Sequence, residues 1–186
     1  MFIQTEDTPN PNTLKFLPGN TVLNNGTAEF TNIESATKSN LAKILFEVKG
    51  VTRVFFGLDF ISVTKEEQID WDILKPSILT SIMEHYASGK PLIEKGEEQN
   101  KASNILETDN EVVKQIKELI DERVRPAVAM DGGDIEFCSF NEGIVTLQMR
   151  GACAGCPSST ATLKMGIENM LKHYIPEVKE VQAAEI

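Results

Sequence analysis

Positive charge is what this sequence has least of. Lys and Arg together number 18 against 28 Asp and Glu, a formal net charge of −10. Binding to phosphates needs a basic face, so the charge argues against nucleic acid and anionic membrane surfaces as partners. No apolar run approaches the roughly 18 residues that a membrane-spanning helix needs. The opening residues, MFIQTEDTP, hold no basic stretch and no apolar one, and are not rich in Arg or Ser. No signal or transit peptide is therefore visible. Cysteine occurs three times, which excludes a disulfide framework and suits a reducing compartment. Internal repeats and low-complexity segments are absent.

What is present suffices for two small folded domains. The chain has 186 residues and is 41% hydrophobic, an ordinary content for a globular protein. Strand character at Phe2–Thr5 is followed by TPNPNT (residues 8–13), a run whose prolines forbid regular pairing, and resumes at Leu14–Leu17. A short edge strand is expected at Ala28–Phe30. Ser39 is placed to cap a helix with Leu41, Ile44, Leu45 and Val48 on one face, and Gly50 to close it. Val51–Phe56 and Phe60–Thr64 predict a hairpin. Asp70 opens a second helix with Trp71, Leu74, Ile78 and Ile82 on its stripe, stopped by Gly89 and Pro91. Residues 1–93 thus read as one α+β domain.

Residues 94–107 are charged and polar without apolar periodicity and are read as a linker. About 12 flexible residues span on the order of 20 Å. The second domain, 108–186, opens on a capping box of Thr108 and Glu111. Val112, Ile116, Leu119 and Ile120 form its first helical stripe. Arg125-Pro126 is expected to end that helix, because a residue before proline avoids helical dihedrals. Asp131-Gly132-Gly133-Asp134 reads as a tight turn rather than as a catalytic carboxylate pair, since no His, Lys or nucleophile motif accompanies it. Strands at Ile135–Phe140 and Ile144–Met149, a helix from Pro157, and a last strand at Val178–Ala183 complete an α-β-β-α-β order. The fold class is α+β in two small domains.

The chemistry gathers at Gly151–Ser159, GACAGCPSS. Cys153 and Cys156 are separated by two small residues, and a helix starts immediately afterwards with Pro157 as its first residue. Free amide groups at a helix start favour a thiolate. Two uses remain open on these residues. One is dithiol redox chemistry, a thiol–disulfide oxidoreductase. The order strand-strand-CxxC-helix and the lack of an aromatic before the pair speak against it. The other is metal. Zinc or an iron–sulfur cluster wants four ligands, and one chain supplies two. His173 lies about 25 Å away along the helix at 1.5 Å per residue, and His85 falls in the other domain; each is expected at the surface or partly packed. The count points to two chains sharing one site on a twofold axis, with a shared structural zinc as the rival occupant. Cys138, in a strand pattern, reads as a small core or sheet residue.

The second domain resembles the NifU-type C-terminal family. The motifs that carry the likeness are RPAV from Arg125, DGGDI from Asp131, GIVTL from Gly143, the GACAGCPSS loop, TLKMGI from Thr162 and YIPEV from Tyr174. The first domain resembles the Nfu N-terminal family through TPNPNTLKF from Thr8 and SGKPL from Ser88. The resemblance implies an iron–sulfur cluster scaffold or carrier, not an enzyme. It implies that Cys153 and Cys156 are the cluster ligands, that a 4Fe-4S cluster (2Fe-2S being the alternative) bridges a homodimer, and that the cluster passes from an upstream assembly scaffold to apo iron–sulfur client proteins. The N-terminal domain, without ligand candidates, is expected to recognise clients or tune access. Bacterial cytoplasm is the expected location because Met1 lies almost directly against the first strand, a mature mitochondrial form being the alternative.

Overall fold

The computed structural model describes residues 2–94, 110–155 and 157–184. The chain divides into two compact units, Met1–Asn100 and Lys101–Ile186. Except for Glu94, the expected linker lies outside the described residues.

Among its described residues the first unit is a five-stranded antiparallel sheet carrying two α-helices and a short 3-10 turn at Ser35–Lys38. The strands are β1 (Gln4–Asp7), β2 (Thr13–Leu17), β3 (Ala28–Phe30), β4 (Val51–Phe56) and β5 (Ile61–Lys65), in the order β1-β2-β5-β4-β3. Helix α1 spans Asn40–Glu47, and its cap is Ser39, which accepts from the Ala42 amide at 3.2 Å as expected. Helix α2 spans Trp71–Ser88 and ends on Gly89 in the left-handed conformation, the usual glycine stop. Phe16, Leu41, Leu45, Phe56, Ile78 and Ile82 are fully buried between sheet and helices. The first strand begins two residues later than expected, because pairing with β2 sets its register, Gln4 opposite Leu17 and Asp7 opposite Leu14. Phe2 is left 80% exposed.

His85 departs from expectation. It is 3% exposed, and neither ring nitrogen meets a hydrogen-bond partner among the described residues. Burial, and then the nearby Lys90, hold its pKa below the ordinary 6.5. The folded chain therefore keeps the imidazole neutral, while the unfolded chain takes up a proton near 6.5. The stability so linked is whole above pH 6.5 and is lost as pH falls through 6.5 toward the folded value. Trp71 is the only tryptophan, so its fluorescence follows this unit alone. Urea unfolding read this way is expected to weaken between about pH 7.5 and about pH 5.5, and less so in His85→Phe. An identical slope in the variant would refute the assignment.

The second unit begins with α3 (Glu111–Leu119), capped by Asn110, which accepts from the Val113 amide at 2.9 Å. The expected cap Thr108 lies outside the described residues. The helix does not stop at Pro126. It widens into a π-type turn over Ile120–Val124 and continues as α4 (Arg125–Met130), the Arg125 amide donating to the Ile120 carbonyl five residues back. Proline lacks an amide and crowds the preceding turn, and a widened turn gives the ring room. The widening also keeps Ile116, Ile120, Val124 and Val128, each four residues on, all buried in one core. In a regular helix each such step would drift by about 40°.

Strands β6 (Gly133–Asn141) and β7 (Ile144–Gly151) follow. They form a hairpin whose two loop residues, Glu142 and Gly143, both have positive φ, 52° and 88°, as the tightest hairpin turn requires. Helix α5 (Pro157–Tyr174) crosses over to β8 (Glu180–Ala183), which lies parallel to β7 at the edge of the order β6-β7-β8. Alternate β7 residues Val145, Leu147 and Met149 face the core. Cys138 sits where the β6–β7 register slips. The bulge turns its side chain outward, so it is exposed rather than packed.

Candidate metal centre

The cysteine loop grows directly out of β7. Gly151 turns the chain with φ +61°, and three backbone bonds then fold the loop back. Ala152 donates to Gly132 at 3.2 Å, Cys153 to Arg150 at 3.3 Å and Ala154 to Gly151 at 3.1 Å. Thr160, in the first turns of α5, donates its hydroxyl to the Cys153 carbonyl at 3.1 Å. Strand, turn and helix are thus tied to one another at Cys153.

Cys153 is 6% exposed and packs within the core of this unit. Burial first, then the charges of Asp131 and Asp134, push its thiol up to about 12. The expectation that the helix start would favour a thiolate here is overturned, since desolvation of a buried anion outweighs the partial charge of a helix end. A low-pKa nucleophile is what dithiol redox chemistry needs, and burial moves the Cys153 thiol the other way. Metal ligation works differently, because the ion itself displaces the proton.

Cys156 lies outside the described residues. Among the described residues no group of three or more His, Cys, Asp or Glu stands together to hold an ion. His173 stacks edge-on against Tyr174 at the far end of α5.

Two residues that sequence reasoning assigned only to a turn shape this site. Gly133 lies opposite Gly151 across the β6–β7 ladder. A Cβ on Gly133 would stand 2.5 Å from the Cys153 Sγ and 2.7 Å from the Arg150 carbonyl oxygen. Its missing side chain is the space that the thiol occupies. Asp134 is 5% exposed and grips Arg125 through both carboxylate oxygens. That hydrogen bond is the largest influence on Arg125 and raises its pKa. Facing glycines on paired strands signal a close approach. The nine-residue gap from Arg125 to Asp134 carries no comparable local signal.

The small-residue loop between β7 and α5, with the Cys153 thiol seated against Gly133, is the candidate site that the fold presents. Residues 3–89 match the family described as "Scaffold protein Nfu/NifU N terminal" and residues 116–182 the "NifU-like domain". Over 98% of its length the chain is 54% identical to NifU-like protein 4, mitochondrial, of Arabidopsis thaliana, and 53% identical to the human NFU1 iron-sulfur cluster scaffold homolog, mitochondrial. It spans 65% and 71% of those proteins, about two-thirds of their length. The chain belongs to the NifU/Nfu family of iron–sulfur cluster scaffold proteins. The expectation of a bacterial cytoplasmic protein does not stand, because these plant and human relatives are named as mitochondrial. A strand close to Met1 is a feature of the fold and does not specify a compartment.

Proposed function

We propose that the chain carries a labile 4Fe-4S cluster as cargo. Cys153 and Cys156 of each of two copies hold it on a twofold axis, and the pair hands it to apo iron–sulfur client proteins after receiving it from an upstream assembly scaffold. The observation that carries this reading is the seated thiol: Cys153 rests where Gly133 has no side chain, on a loop tied to both β7 and α5. Two ligands per chain satisfy a four-thiolate cluster only when a second chain completes it. A cluster held at such a junction is open to incoming thiolates, which suits a carrier and not a catalyst. The relatives named as mitochondrial support a mitochondrial setting for the same work.

Anaerobic reconstitution is expected to give about four irons and about four sulfides per two chains, with a mass in solution that doubles on loading. Cys153→Ser and Cys156→Ser should each abolish loading. A serine variant that still holds a full complement of iron would defeat the proposal. So would zinc without sulfide in the native protein, the signature of a shared structural zinc.

A further inference from the structure

Behind the cysteine loop stands a network of charge centred on Arg125. Arg125 opens α4 and turns its fork onto Asp134, Nε donating to Oδ1 and Nη2 to Oδ2, both at 2.9 Å. Asp121, one turn earlier, accepts from Nη1 at 3.3 Å. Asp134 Oδ1 also accepts from the Ile135 amide at 2.8 Å, so the carboxylate is held at both the helix and the strand. A two-pronged guanidinium–carboxylate contact fixes orientation as well as distance, which a lysine ammonium does not.

The backbone next to Asp134 is the floor of the site. Gly133 leaves the space for the Cys153 Sγ, and the Gly132 carbonyl accepts from the Ala152 amide. Movement of Asp134 by a fraction of an ångström moves both. We infer that Arg125 is a positioning residue of the cysteine loop: acting through Asp134, it pins Gly132 and Gly133 so that Cys153 stays seated and the cargo stays bound. Supporting groups of this kind commonly tune metal retention without touching the metal. The part concerning cargo rests on the function proposed above; the part concerning the seat does not.

The test uses the full chain and three variants, Arg125→Met, Arg125→Lys and Asp134→Asn. In the iron-free protein, amide hydrogen exchange is followed residue by residue. Arg125→Met is expected to speed exchange at Ala152 about tenfold relative to the Val145 and Leu147 amides of the same sheet. Arg125→Lys, keeping the charge but not the fork, should fall between Arg125→Met and the parent. Asp134→Asn keeps an oxygen for the Ile135 amide and decides the matter should Arg125→Met fail to fold. After reconstitution, the Arg125→Met dimer should lose iron to a ferrous chelator about tenfold faster than the parent. Unchanged exchange at Ala152, or equal acceleration throughout the second unit, would overturn the inference. A parent chain that takes up no iron would instead count against the proposed cargo, and the exchange comparison would still decide the role of Arg125.

Discussion

The Gly133→Ala variant is expected to lose most of its iron-binding capacity while the chain still folds. The added methyl would overlap a thiol that can rotate, at 2.5 Å. It would also overlap two backbone atoms that cannot easily move, the Arg150 carbonyl oxygen at 2.7 Å and the Cys153 nitrogen at 3.0 Å. Those atoms form the turn that closes the loop, since the Cys153 amide donates to that same carbonyl. The strands must part or the loop must lift, and either displaces the Cys153 sulfur from its seat. Forcing one carbon into packed surroundings costs about 1–3 kcal/mol. Iron per chain after reconstitution is expected to drop about tenfold or more, with the urea midpoint of the second unit lowered by that cost. Parental iron content in Gly133→Ala would show that the close approach is dispensable.

The second large effect is on folding. Leu147 is fully exposed to the core and not at all to solvent, on the central strand β7, between β6 and β8. Leu147→Ala removes buried atoms at a position where strands on both sides restrict collapse, a change that costs about 2–5 kcal/mol. A unit of this size holds only about 0.05–0.15 kcal/mol per residue, so the loss takes a large part of its stability. The first unit has its own core and should be untouched. Trp71 fluorescence is therefore expected to give the parental transition, while far-ultraviolet circular dichroism splits in two, its new part at lower urea. A shift in the Trp71 transition equal to that in the dichroism would mean that the two units unfold as one.

Much of this structure was legible because local chemistry and tertiary packing agree. Ser39 caps α1, Gly89 stops α2, and Val51–Phe56 is a strand residue for residue. Periodicity places Leu74, Ile78 and Ile82 on the buried face of α2. What failed to show was of another kind. Proline after Arg125 signals a stop, because the rule for regular helices contains no widened turn. Yet the even spacing of Ile116, Ile120, Val124 and Val128 fits no regular helix, and that was the available clue. His85 lies on an otherwise apolar stripe, and its burial outweighs the preference of imidazole for water. At the candidate site, Cys153 and Cys156 announced themselves by spacing. The thiol's depth did not, because it depends on Gly133 in a strand far from it along the chain. The Arg125–Asp134 grip depends on a helix and a strand meeting, and no sequence window records that.

The widened turn at Ile120–Val124 has one more consequence. It amounts to a single extra residue wound into an otherwise continuous helix. Each residue added to a regular helix rotates everything after it by about 100°. The direction in which Arg125 leaves α4, and hence whether its fork meets Asp134, is therefore set by how many residues separate Asn110 from Asp131. Substitutions along that stretch that preserve its apolar face leave the aim unchanged, whereas a one-residue change in its length swings the guanidinium away from the floor of the cysteine loop.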